Sequence, residues 1–154
     1  MSEELTFRLA TKKDLPEIIA MLADDTLGIG REKPGAIISD KYIRAFEKIQ
    51  ADPNQELTIV EINGDKVATF QMTFIQYLTY KGGLRAQIEA VRISSKYRGQ
   101  GIGAWVFEYA INRAKEKGCH LIQLTSDKKR PDAIRFYESM GFQSTHEGMK
   151  LKLK

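Results

Sequence analysis

A single cysteine, Cys119, leaves this 154-residue chain without an internal disulfide. Its stability must come from a core, and a reducing, cytoplasmic compartment is the expected home. The two histidines, His120 and His146, show no ligand spacing with Cys119 or with a carboxylate, so no metal site is expected. No apolar run approaches the ~20 residues of a membrane span. The opening MSEELTFRLA lacks a basic region followed by an apolar stretch, so no secretory signal is expected either. A dense basic run interleaved with aromatics is also missing, which argues against a nucleic-acid partner. There is no repeat, low-complexity tract or linker, and residues 1–154 are expected to form one domain. At 42% hydrophobic and 29% charged, the composition suits a folded chain of this length. The balance of 24 − 20 = +4 points weakly to anionic ligands and describes a solvated surface equally well.

What is present is a legible alternation of strand and helix patterns. Thr6 to Ala10 reads as a strand, and Thr11-x-x-Asp14 as a capping box before Leu15, Ile18, Ile19 and Leu22 at helical spacing. Asp24 to Ser39 reads as a loop. Tyr42, Ile43, Phe46 and Ile49 mark a second amphipathic helix, ended before Asp52-Pro53-Asn54. Leu57 to Ile62 and Val67 to Tyr77 flank Asn63-Gly64, a strong hairpin signal. Lys81-Gly82-Gly83 then turns the chain into a strand ending at Ile93. A helix through Lys117 carries Ile102, Trp105, Val106, Tyr109 and Ala110 as one stripe. After a short strand at Leu121 to Thr125, Ala133, Phe136, Tyr137 and Met140 recur at i, i+3, i+4, i+7. Phe142 onward is expected to form two final strands, the last at Met149 to Leu153. Residue patterns alone give a mixed sheet covered by helices.

The most informative stretch is VRISSKYRGQGIGA, residues 91 to 104. A strand closes at Ile93, five residues make a loop up to Gly99, and Arg98-Gly99-Gln100-Gly101-Ile102-Gly103 opens a helix. Glycines let backbone N–H groups approach a ligand without Cβ atoms in the way. The helix start aims unpaired donors and the positive end of its dipole at the same point, and Arg98 adds a cation. Such a nest suits a phosphate or pyrophosphate. Gly99-x-Gly101-x-x-Ala104 also satisfies the dinucleotide fingerprint, with Asp127 about where a ribose ligand would fall. Against that reading, five loop residues separate strand from glycine, and only 50 residues follow Ala104. No Gly-Lys-Ser/Thr completes a Walker A loop.

Taken with Arg130-Pro131-Asp132-Ala133, Phe136-Tyr137 and Gly141-Phe142, the nest resembles the GNAT superfamily of acyl-CoA N-acyltransferases. The likeness covers nearly the whole chain, although Arg130 stands where that family often has Asn. It implies an α/β (α+β mixed) fold: a central, mostly antiparallel mixed sheet with about four helices and two splayed parallel strands. It implies acetyl-CoA as acyl donor, with the pyrophosphate on the backbone of Gly99, Gln100, Gly101, Ile102, Gly103 and Ala104. Arg98 would sit beside it, Arg130 nearby, and pantetheine would pair with the Val91-Arg92-Ile93 backbone. Tyr137 would protonate the departing sulfur, since a phenol is neutral and protonated at pH 7.

The base is not fixed by motif. Glu89 is the candidate, because it shares strand parity with Val91 and Ile93 and would be a partly desolvated carboxylate in an apolar row. A salt-bridged or substrate-binding Glu89 is the other reading. Asp127 is a second carboxylate for orienting substrate. Lys128, Lys129 and Arg130 would attract an anionic substrate or simply flank the cofactor, and Arg31 in the Asp24–Ser39 loop would attract one too, whereas Asp24, Asp25 and Glu32 would welcome a cationic amine; the opposing charges leave the acceptor open. Cys119, after Gly118, reads as a small buried residue rather than a nucleophile.

The expected activity is acetyl transfer to a small primary amine by direct attack. A lysine or N-terminal protein acetyltransferase and a non-catalytic acyl-CoA-binding module are the alternatives. The segment LTSDKKRPDAIRFYESMGF is similar to aminoalkylphosphonate N-acetyltransferases and their small-amine relatives. The resemblance allows a homodimer.

Overall fold

Four strands follow one another across the sheet in chain order. In the computed structural model, which describes residues 4–25, 28–35 and 37–154, β1 (Leu5–Leu9), β2 (Gln55–Ile62), β3 (Asp65–Gln76) and β4 (Leu84–Ile93) pair as antiparallel neighbours. The β2–β3 turn is made by Asn63 and Gly64, with φ of 51° and 84°, the two left-handed residues that a tight hairpin requires. β5 (Leu121–Gln123) joins the far edge of β4 in parallel, and only Arg85, Ala86 and Gln87 find partners there. β4 then continues six residues to Ile93 while β5 has ended. The two strands therefore part.

Helices cover both faces. α1 (Leu15–Ala23) and α2 (Asp40–Ala51) bury Leu15, Ile18, Ile19, Met21 and Phe46 against Ile59. After a left-handed turn, α3 (Thr79–Gly82), the chain returns through β4 to α4 (Ile102–Glu116) and, past β5, α5 (Pro131–Ser139). These last two helices close the larger core, with Val106, Phe107 and Ala110 packed on Phe70, Met72, Ala86 and Ile88. Phe107 is the joint between α4 and α5. Its ring lies 5.6 Å from Phe136, 5.4 Å from Tyr137 and 5.8 Å from Phe142. Among the described residues, no helix is long and apolar enough to cross a membrane.

Three expectations need correction. Trp105 is 57% exposed, and Phe107 takes its place in the buried stripe. The reason is that α4 packs on the sheet and on α5 at once, so two of its sides are apolar. β5 is three residues rather than five. Neither final strand forms: residues 143–154 carry no regular structure. Met149, Leu151 and Leu153 alternate with lysines as a strand would, yet they are 92%, 85% and 88% exposed. A strand pattern needs a neighbouring edge to pair with, and the short β5 supplies none along this segment. Within the expected loop Asp24–Ser39, Thr26, Leu27 and Ala36 lie outside the described residues. Gly28 to Glu32 forms a turn closed by Glu32 N–H donating to Gly28 O at 2.9 Å.

The Thr11-x-x-Asp14 motif does more than start a helix. Thr11 N–H donates to Asp14 Oδ2 at 2.7 Å, as a capping box requires. The same carboxylate, 1% exposed, takes two bonds from Arg8 at 2.7 and 2.9 Å and lies 2.9 Å from Lys66 Nζ. The Arg8 hydrogen bonds hold its carboxyl well below the usual range, against the opposing effect of burial. A depressed carboxyl contributes stability that is complete above its unfolded pKa and fades as pH falls toward the folded value. Asp14→Asn should therefore lower unfolding free energy by about 2 kcal/mol at neutral pH. In urea melts the gap from the parent should narrow as pH drops below ~4.

Candidate functional site

Where β4 parts from β5, one edge of β4 from Ile88 to Ile93 has no strand beside it among the described residues. That edge leads, past a short turn at Ser95–Tyr97, into the glycine elbow. Gly99 and Gly101 hold φ of 77° and 81°, values that L side chains rarely adopt, and open space surrounds both. Gly101 is the N-cap of α4. The first N–H groups of the helix have no intrahelical acceptor, and among the described residues no other backbone carbonyl takes those of Ile102, Gly103 or Ala104. The side chain of Ile102 is buried, so only its backbone can face a ligand. Gly103 is helical and lies where a methyl group would touch Phe136, 3.4 Å away. The elbow fits a diphosphate, and the open β4 edge fits an extended amide-bearing arm.

The β4 edge carries a bulge that the sequence does not announce. Ala90 has φ of 54°, and the register slips so that Gln71 faces Glu89 while Thr69 faces Arg92. One residue is thus inserted, and parity changes across it. Val91 and Ile93 rejoin the side of Ala86 and Ile88 and pack on the larger core. Glu89 instead shares a side with Gln87, whose Nε2 donates to Glu89 Oε1 at 2.7 Å. The expected apolar row through Glu89, Val91 and Ile93 does not exist. Glu89 is exposed and hydrogen-bonded.

The bulge also sends Arg92 to the α1 side. Its Nε lies 3.0 Å from Asp25 Oδ2, an ion pair without the alignment of a hydrogen bond. Arg130, the N-cap of α5, donates to the same oxygen at 2.8 Å. Gly28 N–H donates to the other oxygen, Oδ1. Burial raises the Asp25 carboxyl, but these bonds and the field of Arg92 outweigh it and leave the group below its ordinary range. Arg98 reaches the same loop, donating to Asp24 O at 2.9 Å and to Ile93 O at 3.2 Å. Asp24 and Asp25 thus tie the end of α1 to β4, to the elbow and to α5. Sequence reasoning saw them only as loop acids, because their partners lie up to 105 residues away.

Tyr137 is half-buried among Phe107, Phe136 and Phe142. Burial pushes its phenol above the ordinary value of 10, with Arg130 and Arg92 close enough to oppose the shift. Asp127 lies just ahead of α5. Its Oδ1 accepts from Lys129 N–H at 2.9 Å and its carbonyl from Arg130 N–H at 2.9 Å, so it shapes the turn into α5. Arg31 pairs with Glu32 at 2.9 Å yet lies near enough to act on Arg92. Gln100 is exposed and bonded to Lys96 O at 3.3 Å. Cys119 packs beside the larger core, and burial pushes its thiol up, the wrong direction for a nucleophile.

Residues 19–142 match the acetyltransferase (GNAT) family. The chain belongs to that family. Members of that family use acetyl-CoA as donor. Among proteins of assigned activity, the chain is similar to an aminoalkylphosphonate N-acetyltransferase of Salmonella typhimurium, 28% identical over 62% of this chain and 61% of that protein. It is also similar to a thialysine N-epsilon-acetyltransferase of Bos taurus, 29% identical over 71% of each. Among solved structures, one named a transcriptional regulator from Bacillus halodurans C-125 is 51% identical. It covers 97% of this chain and 100% of its own, with a TM-score of 0.94. A predicted acetyltransferase from Clostridium acetobutylicum, solved with acetyl-CoA, is 29% identical over 97% of each chain at a TM-score of 0.73.

Proposed function

We propose that this GNAT acetyltransferase transfers an acetyl group from acetyl-CoA to a primary amine of a small molecule by direct attack. The observation that carries the reading is the unpartnered edge of β4 running into a positive-φ elbow at a helix start. In this reading the N–H groups of Gly99 to Ala104 and the Arg98 guanidinium hold the diphosphate. The backbone of Val91 and Ile93 aligns the pantetheine arm. The thioester supplies the acetyl group, and Tyr137 donates a proton to the departing sulfur. Glu89 is the carboxylate on the open side of β4 that can take the ammonium proton, directly or through water.

Two features favour a small acceptor over a protein side chain. The ion pairs of Asp24 and Asp25 draw the loop after α1 across the splay, where a polypeptide would need an open groove. The aminoalkylphosphonate and thialysine relatives are named for small amines.

Calorimetry with acetyl-CoA, followed by thiol release across a panel of primary amines, tests the proposal. Saturable binding and acceptor-dependent release are expected. Binding without release from any amine would leave only a carrier module, and no binding at all would end the acyl-CoA reading.

A further inference from the structure

Charge around Arg92 does not balance. Its side chain is only 14% exposed, and the one carboxylate paired with it among the described residues, Asp25, is shared with Arg130 through a single oxygen. The other oxygen of Asp25 is taken by Gly28 N–H. Nearby charges cancel elsewhere: Arg31 pairs with Glu32, and Arg98 with Asp24. Two guanidiniums thus meet one acid, which leaves a surplus positive charge in a half-closed space. Burial, Arg130 and Arg31 all press the Arg92 guanidinium toward its neutral form, while Asp25 and, more weakly, Tyr137 resist. A buried cation is costly unless an anion compensates it. Arg92 Nε, itself buried, has no hydrogen-bond partner, and among the described residues Arg130 makes no side-chain hydrogen bond besides that to Asp25. Both forks keep donors to offer.

The position of this surplus assigns its ligand. It lies close enough to Tyr137 for both arginines to act on the phenol. It is distinct from the elbow, which has its own cation in Arg98 and its own N–H donors. The Arg92 side chain leaves β4 on the side of Glu89 and Gln87, away from Val91 and Ile93. Arg92 lies three residue steps along the strand from Glu89, at most about 10 Å.

We infer that the acceptor is a compact amine bearing an oxyanion (phosphate, phosphonate or carboxylate), and that Arg92 and Arg130 clasp this oxyanion while the amine reaches the thioester beside Tyr137. The inference rests on the transferase reading above. Planar guanidiniums suit such a group because each can present two parallel N–H bonds. Asp25 occupies the clasp from inside the chain and holds both arginines through one oxygen.

The test uses three alkylamines of equal length ending in a phosphonate, a carboxylate or a hydroxyl, with acetyl-CoA saturating. The parent should prefer the anionic members by about 10-fold or more in kcat/KM. Arg130→Gln, which keeps an N–H donor toward Asp25 while removing the charge, should erase that preference through KM. Its calorimetric affinity for acetyl-CoA should be unchanged. Inorganic phosphate should compete with the amine and not with acetyl-CoA. Turnover with no preference for the anionic members would overturn this inference and leave the transferase intact. So would a loss confined to acetyl-CoA affinity in Arg130→Gln, because the arginines would then serve the phosphates of the donor. Absence of thiol release from every amine would instead remove the transferase reading, and this inference with it.

Discussion

Tyr137→Phe should bind acetyl-CoA as the parent does and turn over about 100-fold more slowly. The two halves of that expectation have separate physical sources. Binding is assigned to backbone donors of the elbow and to the β4 edge, none of which involves the phenol. The ring itself packs between Phe107 at 5.4 Å and Phe136 at 5.8 Å, contacts that phenylalanine reproduces. What disappears is one proton donor at the moment the carbon–sulfur bond breaks. Burial raises the Tyr137 pKa above its ordinary value of 10. An acid works only while protonated, so the parent should hold its activity to a higher pH than a free phenol would allow. The alkaline limb of kcat should be missing from Tyr137→Phe. Equal kcat for parent and variant, measured by thiol release from pH 6 to 11, would remove Tyr137 from the chemistry.

A second large effect is expected at Gly101. Its φ of 81° lies in a region that a β-branched residue avoids, and no atom stands within 4 Å of the missing Cβ. The penalty is therefore conformational rather than a clash, of order 1–2 kcal/mol. Gly101→Val relieves it by rotating the N-cap, which turns the leading N–H groups of α4 away from a common point. Acetyl-CoA affinity should fall by about 100-fold, since several charge-assisted hydrogen bonds are lost together. Gly118 provides the control. It has the same φ of 81° with open space around it, at the other end of α4. Gly118→Val should lower the melting temperature by a similar amount and leave the calorimetric affinity alone. Equal weakening of binding by both would mean that general instability, not the elbow, is being measured.

Elements whose information is local could be read directly. Asn63-Gly64 sets its own hairpin, the glycines of the elbow declare their φ, and the periodic apolar residues of α1, α2 and α5 mark their faces. The bulge at Ala90 could not be read, because alanine carries no mark of a left-handed conformation. That single residue reversed the side on which Glu89 was placed. The partnership of Asp25 with Arg92 and Arg130 was equally hidden, since it is created by three segments meeting rather than by any spacing along the chain. The tail shows the opposite failure. Met149, Leu151 and Leu153 alternate as a strand should, and alternation cannot say whether an edge will be there to receive it.

The parallel ladder between β4 and β5 consists of three residue pairs, against eight in each of the ladders flanking β3. The C-terminal portion is therefore fastened to the rest mainly by the ring stack around Phe107 and by the Asp25 ion pairs, not by backbone hydrogen bonds. Side-chain fastenings yield gradually, whereas a ladder opens one bond at a time. The wedge between the strands can thus spread by small rotations of α5 while the antiparallel strands stay still.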